Sequence, residues 1–261
     1  MNFKNIQLEI AQGVARLTLN HPPANTLSVE TLREISTAVD AIAQNDAVKA
    51  AILTGAGKFF CAGAHIKEFP EALGSEEKGE EMARYGQAVC DKIEQLNKPV
   101  IAVINGPCLG GGLELALSCH IRLATNDAQL GLPELKLGLI PGFGGTQRLA
   151  RLTNVALAYE FILTSRVVTG AEAEKIGLVN RALPLDQLMP EAEQLSRLIA
   201  EEKSAVSVAR AITAIRYGRD ATLADGLKRE AQLFGELMTT HDATEGVNAF
   251  IEKRPATFND R

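Results

Sequence analysis

The chain has 261 residues, enough for one large domain or a domain with an appendage, and enough to bury a substantial core. Its formal charge of −5 argues against nucleic acid as the main partner, and its four cysteines form neither a CxxC pair nor a zinc-site spacing. The first residues lack an apolar signal core and no run is long enough to span a membrane, so the sequence predicts no membrane partner and a cytoplasmic location with reduced thiols.

In chain order, Ile6, Leu8 and Ile10 alternate with polar residues, and after Gln12-Gly13 the alternation resumes at Ala15, Leu17 and Leu19, which predicts an opening hairpin. Ser28 is placed to cap a helix whose apolar positions Val29, Leu32, Ile35, Val39 and Ile42 recur every three or four residues. His21, beside two prolines, reads as a loop residue. Residues 48–54 form a buried strand that stops at Gly55-Ala56-Gly57, and the loop from Lys58 to Glu68 mixes small residues with aromatics. Small side chains leave amides accessible, so this loop is a candidate source of a backbone donor. The polar stretch from Glu71 to Gly79 reads as a surface loop or lid, followed by a helix marked by Met82, Tyr85, Val89, Ile93 and Leu96.

The central segment runs from Lys98 to Glu134. Residues 100–104 form a β-branched strand, Gly110-Gly111-Gly112 a turn, and the residues from Leu113 to Cys119 a helix that opens with Glu114. Glycines let a ligand approach the amides closely, and the first amides of a helix carry no internal partner, so the turn suits negative charge. A phosphate loop would require Lys and Ser or Thr after the glycines; here a carboxylate follows, and that reading fails. Two readings stay open. Either the site receives a transient oxyanion, with Glu114 handling a proton or a water, or the glycines serve close packing and Glu114 is solvated.

Beyond it, residues 121–125 are extended, and Leu132-Pro133-Glu134 brings in a second glutamate. The segment from Gly138 to Thr146 is a glycine-rich loop before a helix starting near Gln147. Thr169 and Glu172 form a capping box, Leu178 to Asn180 a last short strand, and from Asp186 onward the pattern is helical. Those helices carry more apolar faces than the remaining core can cover, which points to contact with another subunit. GxSxG and HExxH are absent, the pairs Cys61/His65 and Cys119/His120 lack further ligands, and no metal is expected. Cys108 reads as a buried thiol.

Five motifs then coincide in order: Phe60 to Glu68, Asn105 to Ala116, Leu132 to Glu134, Leu139 to Arg148, and Leu163 to Val179. Together they resemble the crotonase (enoyl-CoA hydratase/isomerase) family over nearly the whole chain. The resemblance implies an α/β fold, a crotonase (ClpP-like) spiral of ββα units over residues 1–185, with a helical trimerisation region over 186–261. It further implies a homotrimer or a homohexamer made as a dimer of trimers. The implied substrate is an acyl-CoA thioester and no separate cofactor is expected, coenzyme A being part of the substrate.

Carried over by residue, the resemblance implies an oxyanion hole on the backbone amides of Ala64 and Gly111, and CoA contacts at Ala62, Ala64, His65 and Ile66. Phe250 and Lys253 would reach a neighbouring subunit's CoA. Glu114 and Glu134 match the two glutamates of the hydratase branch, one for water and one for the α-proton, which favours hydration of 2-enoyl-CoA. Enoyl-CoA isomerisation is the first rival, because it needs the same oxyanion hole and one glutamate. An RNA-binding relative would show a basic helix face or lost glutamates, and this chain has neither. His65 stands where many hydratases have Asp; it is silent if only backbone meets CoA, and consequential if the side chain orders the loop.

Overall fold

The computed structural model describes residues 2–260. β1 (Ile6–Ala11) and β2 (Val14–Leu19) form the expected antiparallel hairpin at one edge of a six-stranded sheet. Beyond β2 the sheet is parallel: β3 (Ala50–Gly55), β4 (Val100–Ile104), β6 (Ile121–Thr125) and β9 (Arg181–Leu183) follow in spatial order. Parallel central strands are covered on both faces, which is why β3 and β4 are buried along their whole length and read as unbroken apolar runs.

Successive side chains of these strands enter different layers, as the two-residue strand period requires. Leu53, Ala102 and Ile104 join the larger core with α1 (Val29–Gln44) and α2 (Glu76–Glu94). Ile52, Ile101, Val103 and Leu123 face the other way, against Leu188 and Ala192 of α7 (Leu185–Glu202). Thus α7 belongs to the layer covering the sheet. The helical region leaves the core only with α8 (Ala205–Asp220), α9 (Leu223–Leu237) and α10 (His241–Glu252).

A second, smaller sheet runs beside the first: β5 (Cys108–Leu109), β7 (Gln129–Gly131) and β8 (Val167–Thr169). Parallel bridges Cys61–Cys108 and Leu27–Ala64 extend this layer backwards through the chain. Each turn of the chain therefore adds one strand to the large sheet and one short extended segment to the second layer, and the first three turns then enter a helix. This is the spiral of ββα units that the resemblance implies. In the third turn, β4 leads through β5 to α3 (Gly111–Leu117), whose seven residues are all buried. The glycine-rich segment that follows β7 leads through α4 (Gly145–Leu152) to α5 (Val155–Leu163), and α6 (Gly170–Lys175) precedes β9.

Local signals explain most element boundaries. Ser28 accepts the Thr31 amide at the start of α1, and Thr169 and Glu172 form the reciprocal capping box of α6. Two expectations are corrected. The stretch from Glu71 to Gly79 is a surface turn only as far as Ser75: a 3-10 turn covers Ile66–Glu71, and Ser75 caps α2, whose first turn holds Glu76 and Glu77 against the positive helix end. The last strand is Arg181–Leu183; Leu178 and Val179 are buried in the bend before it, where their amides bond to Ala173.

Because Ile101 sits fully buried in the central strand while Ile10 on the edge strand is 45% exposed, truncation separates them. Ile101→Ala should cost about 2–5 kcal/mol and Ile10→Ala under about 0.5 kcal/mol, read as urea midpoints at unchanged slope. Equal losses would contradict the layer assignment.

Candidate active site

The second layer brings the two small-residue loops together. Cys61 donates to Pro107 O at 3.1 Å, and Leu109 donates to Cys61 O at 3.0 Å. Gly63 takes φ +103, a left-handed conformation that side chains resist, and a methyl there would stand 3.6 Å from the Gly111 amide nitrogen. A methyl at Gly111 would in turn lie 3.4 Å from the Ala64 amide nitrogen. Gly111 opens α3, so its N–H has no intrahelical partner. Among the described residues neither the Ala64 nor the Gly111 amide has a backbone acceptor. Two free donors thus converge at the end of one helix dipole.

They border a cavity of about 320 Å³ whose walls include Ile66, Phe69, Leu139, Ile140 and Phe143. Ala62 and both glutamates also line it. A more polar cavity of about 750 Å³ adjoins it, sharing Ala64, Phe69 and Phe143 and lined by His65. Such apolar walls with a few convergent polar groups are the usual construction of a small-molecule site.

Glu114 is not solvated: it is 2% exposed. Its Oε1 accepts the Phe143 amide at 2.8 Å and the Gly145 amide at 2.7 Å, both from the glycine-rich loop before α4. Its Oε2 accepts no hydrogen bond among the described residues and is left to the cavity. Burial raises the Glu114 carboxyl to about 7, against the opposing pull of the Gly145 and Phe143 amides and of Arg148, and with Glu134 adding repulsion. Burial also raises Glu134, whose Oε2 is enclosed without a hydrogen-bond partner among the described residues. Both carboxyls are thus shifted in the direction that favours the protonated form.

His65 answers the question its sequence position poses. Its Nδ1 lies 2.9 Å from Thr26 Oγ1 and its ring packs 5.5 Å from that of His21, whose Nδ1 donates to Thr26 O. The side chain therefore ties the Ala62–Ile66 loop to the segment before α1. Phe250, 85% exposed, and Lys253, at the end of α10, line neither cavity within this chain. Sequence reasoning missed the amides that hold Glu114 and the guanidinium behind them: Arg148 Nη1 donates to Phe143 O at 2.9 Å.

Comparison with known proteins gives the family. Residues 9–261 match the family model described as enoyl-CoA hydratase/isomerase. The chain belongs to the enoyl-CoA hydratase/isomerase family. It is 44% identical to a probable enoyl-CoA hydratase of Bacillus subtilis, covering 97% of this chain and 98% of that protein. It is 41% identical to a crotonyl-CoA hydratase of Syntrophomonas wolfei, with 99% of each covered. A crystal structure of an enoyl-CoA hydratase from Bacillus anthracis superposes with TM-score 0.93 at 39% identity, over 99% of this chain and 100% of that one. The crotonase fold expected from the motifs is therefore the fold observed. Among the described residues no group of three or more His, Cys, Asp or Glu could hold a metal, and no helix is long and apolar enough to cross a membrane.

The raised carboxyl sets a pH dependence of stability. An ordinary glutamate titrates near 4.5 and Glu114 near 7, so between these values the folded state keeps a proton that the unfolded chain loses. Stability attributable to Glu114 is then intact below about 4.5 and declines as pH rises through 7. Glu114→Gln, which can still accept both amides, should raise the thermal midpoint at pH 8 relative to its effect at pH 5. A larger gain at pH 5 than at pH 8 would refute this assignment.

Proposed function

We propose that this protein is an enoyl-CoA hydratase, a hydro-lyase that adds water across a trans-2-enoyl-CoA to give the 3-hydroxyacyl-CoA. The single observation behind the reading is the meeting, in one apolar cavity, of two unpartnered amides and two carboxyls with raised pKa. Relatives named for hydration of crotonyl-CoA and enoyl-CoA support it.

In this scheme the thioester carbonyl oxygen accepts the Ala64 and Gly111 N–H groups, with the first loop (Ala62, Ala64, His65 and Ile66) meeting the CoA. Ionised Glu114 takes a proton from water through its free Oε2 as the water oxygen bonds to Cβ. The π electrons move to the carbonyl oxygen, where the two amides stabilise the developing charge; one such donor is typically worth about 3–4 kcal/mol of barrier. Protonated Glu134 delivers its proton to Cα as the enolate collapses. The glutamates finish with the proton on the other partner, and exchange within the pair resets the site. Water, substrate and product balance without a redox or metal step.

The exposed apolar side chains of the C-terminal helices, Ile215, Leu223, Phe234 and Phe250 among them, support assembly as a homotrimer or a dimer of trimers. In such an assembly Phe250 and Lys253 would reach a neighbouring subunit's CoA. Light scattering should give three or six times the chain mass.

Purified protein should bleach the conjugated absorbance of crotonyl-CoA. Glu114→Gln and Glu134→Gln should each lower kcat by at least about 10²-fold, the range of a positioned acid or base. Near-normal turnover in either variant would remove that residue from the scheme. Conversion of 3-enoyl-CoA to the 2-enoyl form without hydration would overturn the hydratase reading in favour of isomerisation.

A further inference from the structure

Arg148, on α4, is 7% exposed, and its guanidinium donates to fixed acceptors on three residues. Nη1 donates to Phe143 O at 2.9 Å; Nε and Nη2 reach Glu94 Oε2 at 3.1 and 3.0 Å; Nη2 also meets Asp91. Asp91 and Glu94 lie on α2, and the other oxygen of Glu94 is held by Arg219 of α8. The seat is tight: Gly144 takes φ +109, and a methyl there would stand 2.2 Å from Arg148 Nη1. The carbonyl that Arg148 holds lies between the Phe143 and Gly145 amides that grip Glu114 Oε1.

We propose that Arg148 is a positioning residue for Glu114. By anchoring Phe143 O to the acidic face of α2, it keeps the two loop amides on Oε1 and so keeps Oε2 turned toward the substrate cavity. A planar fork is needed because one side chain must span a backbone carbonyl and two carboxylates at once, which an ammonium group cannot do in fixed geometry. Arg148 touches no reacting atom; it acts through the loop. The inference rests on the role proposed for Glu114, but its physical content, control of that carboxyl's setting, is measurable without turnover.

The charged and titratable groups around the pair are few. Glu114 faces Glu134 from the 3-10 turn after β7, Arg148 from α4 and Cys90 from α2; Arg148 faces Asp91, Glu94 and Cys90, with Arg219 behind Glu94. Replacing Arg148 removes the nearby cation and frees the amides, and both changes favour the protonated carboxyl.

The test is an infrared titration of the Glu114 carboxyl, with Glu114→Gln subtracted, alongside steady-state hydration of crotonyl-CoA and a thermal melt. Arg148→Met should move the Glu114 midpoint up by about one unit. It should also lower kcat at least about 10-fold with KM changed by less than about threefold. Arg148→Lys, which keeps the charge but loses the fork, covers the case in which the methionine variant does not fold. It should shift the midpoint in the same direction by a smaller amount and lose kcat. A lower melting point with both the midpoint and kcat unchanged would make Arg148 merely structural and overturn the proposal, as would full kcat in Arg148→Lys. A wild-type protein inert toward enoyl-CoA, with the midpoint still shifting in the variants, would bring down the hydratase reading and leave the clamp standing.

Discussion

The constraint on which the rest of the structure depends is the burial of the Glu114 carboxyl in the first turn of α3. A carboxylate removed from water is costly unless it is hydrogen-bonded, and no residue of α3 donates to this one. They come from residues 142–145, so that segment must come within hydrogen-bond distance of an already buried helix. Gly145 meets this need literally, since a methyl there would lie 3.0 Å from the Glu114 side chain. The two amides suffice to seat one oxygen but not to restore the ordinary titration; burial wins, and the carboxyl stays near neutrality. A structural ion pair would have done the opposite, holding the group ionised and inert.

A second requirement, two amides side by side with no acceptor, is met by the architecture of the spiral. Consecutive turns lay their short segments parallel in the second layer, through the Leu27–Ala64 and Cys61–Cys108 bridges and the β5–β7 pair. Segments paired in register end at the same level. The amide after Gly63 and the amide after Gly110 therefore come out adjacent by topology, and a left-handed glycine before each turns the N–H out of the ladder. Donors held this way need no reorganisation when charge appears, which is the physical basis of strong oxyanion stabilisation. Phe143 closes the arrangement: its ring packs against Gly111 and against Gly86 of α2, its amide holds Glu114, and its carbonyl is held by Arg148.

What was legible in the sequence was local or carried by motif. Ser28 and the Thr169/Glu172 box mark helix starts because their partners lie three residues away. The apolar runs of β3 and β4 mark buried parallel strands because both faces are covered. The glycine turn and Glu114 were visible as neighbours, yet residues 110–114 alone left a solvated glutamate as plausible as a catalytic one. Its burial depends on a loop some thirty residues later and its titration on Glu134 and Arg148, none of which leaves a mark at position 114. The part of the stretch from Glu71 to Gly79 that begins at Glu76 misled for the converse reason. Its polarity suits a loop and an exposed first helical turn equally, and Ser75 is the only residue that distinguishes them. At Leu178 to Asn180, burial by tertiary packing imitated a strand that begins one residue later.

The same elements explain why this glycine turn serves an enolate and not a phosphate. Both ligands want backbone N–H groups at a helix start, and the turn offers them. A phosphate brings permanent charge and is bound best where a cation shares the load; here the nearest arginine is turned away, committed to Phe143 O, Asp91 and Glu94. What faces the cavity is a carboxyl pair that repels a standing anion but tolerates a neutral thioester. On the proposed scheme negative charge reaches the carbonyl oxygen only while a proton leaves water for Glu114, so the site never holds the two charges far from compensation. Arg148 is central to this economy of placement. It is close enough to stabilise the loop and moderate the titration of Glu114, yet its described hydrogen bonds go to Phe143 O, Asp91 and Glu94 and none to the Glu114 carboxyl. The cavity keeps one free carboxyl oxygen, two free amides and no cation among its described lining residues except Lys136, an inventory suited to moving protons around a transient oxyanion.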